Sequence, residues 1–303
     1  MDDTQRAFYG LKFENAFLRL RGKAFESFFV RLMGHGFAGD FELVRPYGAR
    51  GDLKCDGFRR SDGTVFQVYA PDSLKLAPLL AKIDKDFTGA IEHWGRRMRR
   101  WEFVHNDDRG LPGDAVQKLV DLHEAHPGVE IAVLEEPGLR QTVMGLELHQ
   151  LEDLFGLVPS QRTIEQLDFG TLRPVLTALQ RRIPQAEPPL TAPSPAKLQR
   201  NALSIDAAGL LRQGRRREKL VQELFDAWPN PALGEEIAEA FRARYQGLKA
   251  LGLSPDQIFG ELQSFAGGME GEPSHQGAVL AVMSYFFERC DIFDDDAEQD
   301  APP

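Results

Sequence analysis

The sequence predicts an α/β layered domain followed by a smaller all-α domain, and three observations carry that prediction. Short apolar runs alternate with amphipathic helical stretches through the first half of the chain. The segment Pro184–Ala196, PQAEPPLTAPSPA, sets five prolines in thirteen residues and continues neither helix nor sheet. After it come four helical stripes with no strand between them. The expected organisation is an α/β domain over 1–157, a helical connector and Pro-rich linker over 158–200, a helical domain over 201–290 and an acidic tail over 291–303. A chain of 303 residues holds roughly two domains, at about 150 residues each, and 42% hydrophobic residues can fill their cores.

In chain order, Ala24–Met33 places Phe25, Phe28, Phe29, Leu32 and Met33 on one helical face, with Gly34 and Gly36 ending the helix. Phe41–Pro46 reads as a strand. GDLKCDGF, the turn Ser61-Asp62-Gly63 and TVFQVYAP read as a β-hairpin. Leu79, Leu80, Ile83, Phe87, Ile91 and Trp94 mark a long helix; Trp101–Asn106 and Val129–Glu135 are strands on either side of a helix over Asp114–Ala125. In the second half the stripes are Leu220-Val221-Leu224-Phe225-Trp228, Ile237-Phe241-Tyr245-Leu248, Ile258-Phe259-Leu262-Phe265 and Val279-Leu280-Met283-Phe286-Phe287. Ser254-Pro255-Asp256 is a cap and first turn for the third.

Composition sets limits on function. The formal net charge is −10, but the last thirteen residues hold six of the acids and no base, which leaves −4 for the remaining 290. Charge therefore neither demands nor forbids a nucleic-acid partner. Two cysteines cannot build a disulfide framework or a four-ligand zinc site, no run approaches a membrane span, and MDDTQRAFYG lacks the order of a secretory leader. A reducing, bacterial-type cytoplasm is the expected setting, with no membrane partner.

The hairpin is the candidate site. With Asp62-Gly63 as a two-residue turn, Asp56 faces Tyr69 and Phe58 faces Gln67. Alternation then sends Asp52, Lys54, Asp56, Gln67 and Tyr69 to a polar side and Leu53, Cys55, Phe66, Val68 and Ala70 to an apolar one. Facing oxygen donors, with Glu26 on the preceding helix, are a seat for Mg²⁺; the alternative is that Asp52 and Asp56 are turn and strand-end acids beside Gly51 and Gly57. Arg96, Arg97, Arg99 and Arg100 between Trp94 and Trp101 form either a phosphate-binding patch with stacking aromatics or a helix end above two core tryptophans. His105-Asn106-Asp107 ends a strand, where clefts and plain turns both occur.

Phe25-Glu26 in a helix, Gly51-Asp52 through Asp56-Gly57, and Gln67-x-Tyr69 together resemble the PD-(D/E)xK restriction-endonuclease-like fold, nearest its Mrr-like branch, whose order is a helix Glu, Asp-Gly and Gln-x-Lys. The resemblance spans roughly Gly22–Pro71. It implies a Mg²⁺-dependent nuclease in which Glu26 and Asp56 hold the metal and Gln67 is the variant third residue of its site; Asp52, on the hairpin's polar side, is a further candidate metal ligand. Tyr69 stands where that family has lysine, and a phenol supplies no positive charge at neutral pH. Catalysis is then lost, or Lys54, Lys82 or Lys85 supplies the cation.

Leu251–Leu262 (LGLSPDQIFGEL) and Val282–Phe293 (VMSYFFERCDIF) resemble the C-terminal domains of effectors in ABC-three-component systems, and GDLKCDG with FQVYAP resembles nuclease-fold domains of such proteins. This implies an anti-phage or anti-plasmid defence effector docked by its helical domain onto an ABC-type ATPase and a middle component. Three functions follow as expectations: a nuclease, a catalytically inactive nucleic-acid-binding module, or an assembly adaptor.

Overall fold

The computed structural model describes residues 1–44, 53–181, 203–268 and 271–289. The linker Pro184–Ala196, Asp52, Cys290 and the acidic tail 291–303 lie outside the described residues. The described chain forms two compact units, Phe13–Phe155 and Met1–Lys12 with Gly156–Pro303.

The first unit is a three-layer α/β/α sandwich. After α1 (Asp3–Arg19), which runs from one unit into the other, come α2 (Gly22–Gly36), β1 (Phe41–Leu43), β2 (Gly57–Arg59), β3 (Thr64–Tyr69), α3 (Leu76–Trp94), β4 (Arg100–His105), α4 (Gly113–Ala125), β5 (Glu130–Leu134), α5 (Glu136–Met144) and α6 (Leu148–Phe155). The strands lie in the order β1-β2-β3-β4-β5; the first three are antiparallel, and β3, β4 and β5 run parallel. Parallel neighbours need a crossover, and α3 and α4 supply the two. Both pack on one face, where Leu79, Ile83, Phe87, Ala115 and Leu119 bury Val65, Trp101 and Phe103. The opposite face is covered by α2, whose Phe25, Phe28, Phe29, Leu32 and Met33 are all buried as the stripe predicts. Phe29 meets Phe66 and Phe41 there, with ring centroids 5.6 and 6.2 Å apart.

The hairpin differs from its predicted geometry in two ways. Gly57 pairs with Phe66 and Arg59 with Thr64, so Arg60–Gly63 is a four-residue loop and Asp56 falls opposite Gln67, not Tyr69. The cause lies at the tip. Asp62 accepts from the Thr64 hydroxyl at 2.7 Å and its backbone N–H at 3.1 Å and pairs with Arg59, while Gly63 takes a left-handed φ of 70°. The shift is two residues, so the faces within β3 are kept. Upstream, alternation fails: Leu53 and Lys54 both have φ of 56°, and Lys54 and Cys55 both turn toward the α3 side. The predicted open polar face is also absent from β3, where residues Thr64–Val68 are buried.

The second unit combines the first turns of α1 with α7 (Gln161–Glu165), α8 (Phe169–Gln180), α9 (Ile205–Arg215), α10 (Glu218–Asp226), α11 (Leu233–Ala250), α12 (Pro255–Phe265) and α13 (Pro273–Glu288). Residues 276–287 of α13 are buried on every side, as expected of a helix that is apolar all round. It lies close against α9: a Cβ added to Gly214 would stand 2.6 Å from the Leu280 carbonyl oxygen and 2.2 Å from Ser284 Oγ. Ser254 caps α12 in a reciprocal box with Gln257, as its sequence predicts. No helix among the described residues is long and apolar enough to cross a membrane.

Candidate functional site

The predicted site residues are spread over the α/β unit. Asp56 and Gln67 meet. The carboxylate of Asp56, 8% exposed, accepts from Gln67 Nε2 at 2.8 Å and from the Val68 N–H at 2.7 Å through the same oxygen, Oδ2. Gln67 thereby turns its amide nitrogen to Asp56, and its Oε1 is buried without a hydrogen-bond partner among the described residues. Glu26, half-buried, sits on α2 and so on the helix covering the Phe66 face, whereas Gln67 shares the opposite face with Val65. Lys54 is drawn to α3: its Nζ lies 3.5 Å from Asp86 Oδ1, Lys82 pairs with the other oxygen, and Asp86 is 1% exposed. Lys85 is exposed on α3.

Mg²⁺ needs several oxygens directed at one point, and among the described residues Glu26, Asp56 and Gln67 are not seen to converge in that way. The Asp56 oxygen that faces Gln67 is already hydrogen-bonded twice, and Gln67 offers it a donor, not an acceptor. No group of three or more His, Cys, Asp or Glu side chains that could hold a metal occurs among the described residues. Tyr69 is half-buried with its ring 6.1 Å from that of Phe103.

The arginine quartet stands elsewhere. Arg96, Arg97 and Arg99 are exposed, without an ion pair among the described residues, while Arg100 is tied to Glu102 at 2.8 Å and to Glu130. The segment docks on the hairpin tip, where Arg99 N–H donates to the Gly63 carbonyl at 3.0 Å. Thr64 pairs with Arg100, so Gln67 lies three residues further along β3, about 10 Å at roughly 3.3 Å per residue. The tryptophans are not stacking platforms. Trp101 is wholly buried, and Trp94 stacks on Phe58 at 4.6 Å and donates to the Leu53 carbonyl at 3.1 Å.

A cleft of about 250 Å³ opens at the carboxyl ends of β3 and β4, lined by Tyr69, Ser73, His105, Asp107, Arg21 and Arg109 among others. The register places Tyr69 beside His105, and the crevice past the ends of parallel strands is the usual ligand position in α/β sheets. His105 is 1% exposed. Its Nδ1 accepts from the Asp107 N–H at 3.2 Å, which puts the ring proton on Nε2. That Nε2 has no hydrogen-bond partner among the described residues and stands 3.7 Å from Glu135 Oε2. Burial pushes the imidazole below its ordinary pKa, against the pull of Glu135 and Asp107. Asn106 is structural: its amide donates to the Phe17 and Leu20 carbonyls at 2.9 and 2.7 Å.

In the helical unit, a groove of about 370 Å³ is lined by Phe225, Trp228, Gly234, Tyr285, Phe286 and Arg289. Tyr285 donates its hydroxyl to Gln222 Oε1 at 2.7 Å beside it.

Residues 171–294 match the family model for C-terminal domain 10 of the ABC-three component (ABC-3C) systems. The helical region is thus similar to a domain of defence-associated, multi-component assemblies, and membership in such an assembly implies partner components. No curated protein and no solved structure matched the chain.

Proposed function

We propose that this chain is the effector of an ABC-three-component defence system. In this reading the helical unit attaches it to an ABC-type ATPase and a middle component, and the nuclease-like α/β unit binds nucleic acid without cutting it. The setting is supported by the match over 171–294. Binding in place of cleavage is supported by one observation above all: the carboxylate of Asp56 is hydrogen-bonded to Gln67 and Val68 where a nuclease of the resembled class would direct it at a metal. Tyr69 in the lysine position agrees with this, because a neutral phenol cannot offset charge on a scissile phosphate. The free cations Arg96, Arg97 and Arg99 are the contact expected for a sugar-phosphate backbone.

The test is a salt series of mobility shifts with short DNA and RNA on the full chain, run beside a plasmid-cleavage assay with Mg²⁺. Salt-sensitive binding that weakens at least tenfold in Arg96→Ala/Arg97→Ala/Arg99→Ala, with the plasmid intact, supports the reading. Cleavage that Asp56→Ala and Glu26→Ala abolish would replace it with a metal-dependent endonuclease. Absence of any nucleic-acid binding, with pull-down of an ATPase retained, would replace it with an assembly adaptor.

A further inference from the structure

The geometry points to the cleft at the ends of β3 and β4 as a pocket for one unpaired nucleobase. This rests on the reading that the α/β unit handles nucleic acid, and narrows it to a ligand.

The cleft has the size of one base. About 250 Å³ lies below the range of roughly 300–1,000 Å³ that holds drug-sized ligands, and suits a single base with part of its sugar. Its charge is nearly balanced. Two arginines and three aspartates line the cleft, a near balance that disfavours a bare phosphate and suits a neutral ring with a charged group at the rim. Arg109 is suited to the rim, since it is 81% exposed and held at 3.3 Å by Asp107 Oδ1.

The lining chemistry also suits a base. Tyr69 supplies an aromatic side chain to the cleft lining, and its ring is braced by Phe103. A base has a π-face to lay on it, and every base has one. His105 lines the cleft with its tautomer fixed by the Asp107 amide, while its buried Nε2–H stands 3.7 Å from Glu135. Aspartates on the same lining accept from exocyclic amines. A phenol and a neutral imidazole beside one another at a strand end thus suit a flat, mixed donor–acceptor ligand. An unstacked base is reached only in single strands, at ends, or in free nucleotides.

Calorimetric titration of the full chain with the four nucleoside 5′-monophosphates and with ten-residue single strands of DNA and RNA tests the pocket. Saturable binding, weakened at least tenfold in Tyr69→Leu and altered in base preference by His105→Gln, is the expected result, with circular dichroism confirming that each variant is folded. Comparable affinity for monophosphate and oligonucleotide would assign the pocket to a free nucleotide; tighter, salt-sensitive oligonucleotide binding would assign it to a strand. Lack of saturable binding for every probe, or equal binding by wild type, Tyr69→Leu and Arg109→Ala, overturns the pocket. Failure of the pocket is separable from failure of the proposed function. Strand binding lost only in the Arg96/Arg97/Arg99 variant sinks the pocket alone, and monophosphate binding with no polymer binding sinks the function reading alone.

Discussion

The indole of Trp94 donates to the carbonyl oxygen of Leu53 at 3.1 Å, so the last turn of α3 holds one of two consecutive residues in the left-handed region. Non-glycine residues there cost of order 1 kcal/mol each and persist where their surroundings fix them. The fixing is shared. Lys54 runs across Gly89, whose added Cβ would come within 2.5 Å of Lys54 Cγ, to reach Asp86. Trp94→Phe keeps the stacking on Phe58 and removes only the hydrogen bond. Leaving the Leu53 carbonyl without it should cost about 1–2 kcal/mol, lowering the thermal midpoint of the α/β unit by several degrees in calorimetry. An unchanged midpoint would mean that the turn is held without the Trp94 hydrogen bond.

Gly214 carries a second expectation. In an exposed helix Gly→Ala gains about 1 kcal/mol, but here the new methyl meets a backbone carbonyl at 2.6 Å, which no side-chain rotation relieves. The crossing of α9 and α13 would have to open, so Gly214→Ala should destabilise the helical unit by about 2 kcal/mol in denaturant unfolding. Stabilisation would show that these helices are not in close contact.

The first turns of α1 pack with the helical unit although they open the chain. Tyr9 donates its hydroxyl to the Gly156 carbonyl at 3.3 Å, and Asp2 accepts from the Gln161 N–H at 2.9 Å. Phe8 is 2% exposed and lines a small cavity with Gln263, Gly268 and Gln276. Phe8→Ala should therefore cost about 3–5 kcal/mol, read as faster amide exchange in α13. Protection unchanged there would separate α1 from that core.

Why some of this was legible and some was not follows from where the signal resides. The α2 and α11 stripes are one-sided, so a helical period exposes them: Phe25, Phe28 and Phe29, and Ile237, Phe241 and Tyr245, are all buried as expected. In α1, by contrast, Thr4, Phe8, Tyr9, Leu11, Phe13 and Phe17 are buried around the helix, and no clean stripe marks it. The hairpin register turned on Asp62, whose side chain recruits Thr64 and Arg59 and converts a two-residue turn into a four-residue loop. Asp56 opposite Gln67 was one register choice away. The cleft was out of reach, because Tyr69 and His105 become neighbours only through the parallel pairing of β3 with β4.

The pH response of His105 has a definite sign. Its folded pKa is depressed by burial, so below the ordinary value near 6.5 the unfolded chain takes up a proton that the folded chain resists. The contribution is fully present above that value and is lost as pH falls through it toward the folded pKa, with a limiting slope of about 1.4 kcal/mol per pH unit. His105→Gln should flatten the difference in stability between pH 7.5 and pH 5.5, measured by urea unfolding of both proteins. Parallel pH profiles would show that the imidazole charges freely in the fold.

Asp56 supplies the sharpest separation between a structural carboxylate and a metal ligand. If its role is to accept from Gln67 and Val68, Asp56→Asn loses two charge-assisted hydrogen bonds inside a buried site and should cost about 2–3 kcal/mol with or without divalent cation. If its role is to hold Mg²⁺, the wild type gains stability as the ion is added, about 2.7 kcal/mol at one hundred times the dissociation constant, and Asp56→Asn loses that gain. The expected outcome is a wild-type thermal midpoint that is the same in EDTA and in 10 mM MgCl₂, and a variant lowered equally in both. A Mg²⁺-dependent rise confined to the wild type would reverse the assignment, because general salt effects act on both proteins alike and only an ion bound to the folded state through that carboxylate makes the rise depend on Asp56.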